Sequence, residues 1–134
     1  MRKKRVAPRS KTNSARSAGE NHATELFKAG AVVVATLSNP REKFWGVIWA
    51  LSAAGLTMRA IELASFEDSA NMVRGGESFV PSALFFPMHR VERIEIDQTQ
   101  GSIISLAQRF ESRTGLPAED LFASPTVPGR RARS

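Results

Sequence analysis

The 134-residue chain has no cysteine and no tyrosine, and only two histidines and two tryptophans. Without cysteine there is no disulfide framework, no thiol nucleophile and no thiolate metal site. His22 and His89 are the only imidazoles, so a zinc site would need carboxylates for most of its ligands, and no metal-type spacing is present. No Ser–His–acid set stands out. Neither a catalytic residue, a metal nor a cofactor is therefore expected, and a small-molecule ligand is not expected either. No apolar run approaches the roughly 20 residues that cross a bilayer. The opening MRKKRVAPRSK is positive but is followed by no apolar stretch, so neither membrane insertion nor secretion is expected. A cysteine-free chain of this kind fits a reducing cytoplasm.

What the chain does have is charge, unevenly placed. The formal net charge is +6. Residues 1–20 hold Arg2, Lys3, Lys4, Arg5, Arg9, Lys11 and Arg16 against Glu20 alone, and the last stretch adds Arg130, Arg131 and Arg133. The intervening body carries nine basic and twelve acidic side chains. A mildly acidic domain is thus flanked by two basic ends, and any attraction for phosphate is assigned to those ends. Residues 1–20 and 123–134 offer almost nothing to bury and read as a disordered basic arm and tail. Residues 21–122 read as one domain.

Within that domain NHATELFKAG predicts a short helix closed by Gly30. AVVVATLS, FWGVIWALS and LTMRAIELA are strands joined by links of about three to five residues, so they are expected to form an antiparallel meander. SFEDSANMVRGG breaks the alternation. Ser65 with Asp68 resembles a capping box, and a helix is expected near 66–74. SALFF is a short strand fenced by Pro81 and Pro87, so it is expected on an edge or at a bend. In the stretch Met88–Asp97, strict alternation puts His89, Val91, Arg93 and Glu95 on one face. Ser102 is expected to cap a helix near 103–113 that carries Ile103, Leu106, Ala107 and Phe110 as its stripe. The fold class is mainly β with flanking helices: a small five-stranded antiparallel barrel, Sm-like or SH3-like, in which closure hides the sheet edges.

A short N-terminal helix followed by a five-stranded meander resembles the Sm/LSm (Hfq-like) family over residues 22–97, with Gly46 at the bend of the second strand. The resemblance implies rings assembled by pairing of edge strands, with RNA as the usual ligand. The turn before the third strand has no Asp–Asn pair and the late turn reads PMH, so no family binding residue is carried over. A second, partial resemblance is to PilZ domains, which bind cyclic di-GMP through RxxxR and a [DN]xSxxG turn. RVAPR supplies Arg5 and Arg9, and ALSAAG supplies Ser52 and Gly55 with Ala50 in place of the acid or amide.

His89 beside Arg90, Glu92 and Arg93 could serve as a general base. Ion pairs across the outer face of a strand explain the same residues, and that is the reading adopted. Trp45 and Trp49 share a face. They are either core or a strip for a partner subunit, the partner interface expected here, and the helix near 103–113 is a ready cover within the chain. The functional expectation is a non-enzymatic binding or regulatory module that self-associates as a homo-oligomer. It would touch RNA or DNA through Arg2, Lys3, Lys4, Arg5, Arg9, Lys11, Arg130, Arg131 and Arg133. A protein-interaction or scaffold domain is the alternative, and a PilZ-like sensor a third.

Overall fold

Residues 25–123 are described in a computed structural model. They form β1 (Val32–Leu37), β2 (Glu42–Leu51), β3 (Gly55–Glu62), β4 (Ser82–Pro87) and β5 (Val91–Ile96), with helices α1 (Phe66–Arg74), α2 (Leu106–Thr114) and α3 (Ala118–Leu121). Single 3-10 turns at Leu63–Ser65 and Met88–Arg90 lead into α1 and β5. The expected basic arm, and the expected tail apart from Ala123, lie outside the described residues. So does the start of the first expected helix, of which only Glu25 and Leu26 are described as helical. No helix among the described residues is long and apolar enough to cross a membrane.

The strands make one antiparallel sheet in the order β4-β3-β2-β1-β5. The expected closed barrel does not form. β4 pairs only with β3 and β5 only with β1, and the two edges make no ladder with each other. Leu84 and Phe86 of β4 nevertheless pack on the same inner cluster as Val91, Ile94 and Ile96 of β5, so both edge strands share one core face. Pro87 ends β4 without an N–H to give, and the turn Met88–Arg90 intervenes before β5 begins.

Both faces of the sheet are apolar, as the double-faced run in β2 requires. The inner face buries Val33, Ala35, Ile48, Leu56, Met58 and Ala60. The outer face presents Trp45, Val47 and Ile61 to Phe66 and Ala70 of α1, Phe110 of α2, Leu121 of α3 and Phe122 just after it. Trp45 is fully buried, with ring centroids 5.4 Å from Phe66, 5.7 Å from Phe110 and 4.9 Å from Phe122. Removing such a ring from a core costs about 3–5 kcal/mol. Gly46 lies where β2 and β3 approach most closely: a Cβ there would sit 2.0 Å from the Arg59 carbonyl oxygen and 2.6 Å from Ala60 Cα.

Two bulges overturn the strict alternation expected from the sequence. In β2 the register shifts between Ile48 and Ala50, leaving Trp49 as the extra residue. Ala50 then opposes Thr57 and Leu51 opposes Leu56, so both change faces. In β5 the shift sets Val91 against Leu37 but Arg93 against Thr36, so Val91 joins Ile94 and Ile96 on the inner face. Met88–Arg90 form a turn, not the start of the strand.

The last long helix also begins later than expected, at Leu106. Ser105, not Ser102, caps it, its Oγ accepting from the Gln108 amide at 3.1 Å. Asp97 accepts from the Leu106 and Ala107 amides, both at 2.8 Å, and from the Trp45 indole N–H at 3.0 Å. One carboxylate thus caps α2 and fixes the core tryptophan beneath it. Ile103 and Ile104 stay outside the helix on the exposed turn. Helix α1 matches its expected span, although Ser65 makes no side-chain cap.

Candidate functional site

The helices cover only part of the outer face. Toward the turn between β2 and β3, Ala50 of β2, Thr57 of β3 and Phe85 of β4 oppose one another across three strands, with no helix of the described residues above them. Phe85 is 55 % exposed and Trp49 39 % exposed. The Phe85 ring lies along Gly55, where an added Cβ would come within 2.7 Å of it. A glycine here is what lets the phenylalanine lie flat against the sheet.

Arg59 marks the boundary between the covered and uncovered parts. It is buried on β3, its guanidinium carbon 5.0 Å from the centre of the Trp49 ring, and Nη1 donates to the Pro81 carbonyl. Its Nε has no partner, and it makes no ion pair among the described residues. Burial pushes the guanidinium down from its usual range. Trp49 supplies part of what a carboxylate would give, through the negative face of its ring. The hydrogen bond to Pro81 ties the chain down where it enters β4, alongside the ladder that pairs β4 with β3.

A second feature is a hollow of about 510 Å³ between Phe27, Leu51, Met88, Val91 and Ile94, with Glu92 and Arg93 at its rim. It opens beside β5, where the sheet is not closed. Its lining is apolar with one charge of each sign.

The residues singled out in the sequence fall as follows. Trp45 is in the core under α2, so it presents no surface to a partner; the bulge leaves Trp49 at the surface. The stretch around His89 is not a cluster. Arg90 pairs with Glu42 at 2.7 Å, Arg41 with Glu92 at 3.3 Å and Arg93 with Glu95 at 2.7 Å, while His89 is exposed in the turn and joins none of them. Ser52 and Gly55 bond each other's backbones across a tight turn, and the Ser52 Oγ accepts from the Ala54 amide. Arg2, Lys3, Lys4, Arg5, Arg9, Lys11, Arg130, Arg131 and Arg133 lie outside the described residues. Among the described residues no group of three or more His, Asp or Glu side chains is placed to hold a metal ion.

Arg59 and Phe85 were not singled out in the sequence. The signal for Arg59 was present: a lone cation at the centre of LTMRAIEL, whose Leu56, Met58, Ala60 and Ile61 are buried in the cores on the two faces. Phe85 carried none, because an apolar residue in an edge strand reads the same whether its face is covered or bare. Compared with known proteins, the chain matches no family model, no curated protein and no solved structure.

Proposed function

We propose that the protein is a non-enzymatic binding module whose folded body self-associates and whose basic ends hold RNA. The observation that carries the reading is the segregation of charge. Residues 1–20 supply seven cations against one acid, whereas the body between the basic ends has more acids than bases. Such an arm neutralises phosphates without regard to base sequence, and each contact releases a condensed counterion. The acidic body repels the same phosphates, so affinity concentrates in the arms.

An Sm-like reading of the fold is supported by the meander β1-β2-β3 and by the short link between β4 and β5. The exposed pair Trp49 and Phe85 supports self-association, since aromatic residues bury large area at small entropic cost. The same pair also favours a second reading, a protein-interaction domain without nucleic acid. Deleting residues 1–20 distinguishes the two. Anisotropy with a labelled single-stranded RNA should show binding by the full chain that is lost with the arm. Undiminished affinity in the truncated protein contradicts the nucleic-acid reading.

A further inference from the structure

The two free edges of the sheet are not alike. β5 carries Glu92, Arg93 and Glu95, charges of the kind that guard an edge against pairing. β4 carries none: from Pro81 to Met88 no side chain is charged, and Phe85 is more than half exposed. We infer that β4 pairs with β4 of a second copy about a two-fold axis. The inference rests on the self-association proposed above and names its surface.

The hydrogen-bonding phase of β4 makes this pairing self-complementary. The Met88 amide donates to the Ala54 carbonyl at 2.9 Å, which makes Gly55 and Pro87 a non-hydrogen-bonded pair of the β3–β4 ladder. Counting back in twos, Thr57–Phe85 and Arg59–Ala83 are also non-hydrogen-bonded, so the N–H and C=O groups of Ala83 and Phe85 point away from β3. An antiparallel pairing centred on Leu84 sets Ala83 opposite Phe85 of the second copy, and Phe85 opposite its Ala83. Each residue then gives and accepts one bond, four in all. The next hydrogen-bonding position in each direction sets Pro81 against Pro87, and neither has an N–H, so the ladder stops there.

The side chains agree with the register. The large Phe85 lies across from the small Ala83 on the outer face. Neutral meets neutral, which a two-fold demands of any patch that contacts itself. Pairing β4 head to tail with β5 of another copy would instead set this uncharged strand against Glu92, Arg93 and Glu95.

Sedimentation of the full chain tests the inference. The wild type should run at twice the chain mass. Phe85→Lys puts a charge on each side of the two-fold, and Ala83→Pro removes a donor that points off the sheet. Each should shift the mass to a single chain. Since the chain lacks cysteine, Leu84→Cys places one thiol on the axis. Non-hydrogen-bonded partners lie about 4.5 Å apart between Cα atoms, within disulfide reach, so mild oxidation should give a covalent dimer. If the wild type self-associates but both edge variants keep its mass and Leu84→Cys does not cross-link, the β4 interface is wrong while self-association stands. A wild type that remains a single chain overturns both.

Discussion

The Asp97 carboxylate holds three donors at once, the Trp45 indole and two amides at the start of α2. Its loss would leave the Trp45 indole N–H and the Leu106 and Ala107 amides without their acceptor, with only the Ser105 cap on Gln108 remaining. Asp97→Ala should therefore destabilise the fold by about 2–4 kcal/mol, read from urea unfolding. A change below about 1 kcal/mol would mean that water replaces the carboxylate. The two tryptophans should separate just as clearly. Trp45→Ala should cost about 3–5 kcal/mol, while Trp49→Ala removes a ring over Arg59 and should cost about 1 kcal/mol. Equal losses at the two positions would contradict the placement of Trp45 in the core and Trp49 at the surface. None of this was legible from types alone. Both tryptophans occupy the same nominal face of FWGVIWALS, and only the bulge at Trp49 tells them apart. Asp97 read as the end of a strand, because its partners lie 52, 9 and 10 positions away.

Among the elements, α1 and α2 are tied by Glu67, which accepts from Arg109 at 3.0 Å and from Arg113. The hydrogen bond from Arg113, reinforced by Arg109, holds the Glu67 carboxyl below its ordinary value. A depressed acid contributes stability above its unfolded pKa and loses it as pH falls through the folded value. Acidification below the ordinary carboxylate range should thus weaken the α1–α2 contact, and Glu67→Gln should remove that part of the pH dependence of Tm. The effect is small, because the pair is exposed and screened by salt. Identical pH profiles for variant and wild type would show that the clamp contributes nothing. Element existence was largely legible: all five strands and the helices near 66–74 and 103–113 follow from periodicity and turn residues. Their ends and faces were less so. Bulges and the Asp97 cap depend on residues distant in sequence, and a period of two has no means to record an inserted residue.

For the whole molecule, the sequence reading and the structure differ on closure. Short apolar strands suggested a barrel, yet β4 and β5 form no ladder with each other, leaving an uncharged edge and a charged one among the described residues. Composition could not decide this, since the same apolar strands fill an open curled sheet or a closed one. The division of charge between body and ends was fully legible, and it is what the proposed function rests on. Its most direct test is the salt dependence of RNA binding by the full chain. If the seven cations of the first 16 residues each neutralise a phosphate of single-stranded RNA, log affinity should fall against log salt with a slope of about −5. A slope near zero, with binding intact, would contradict the account.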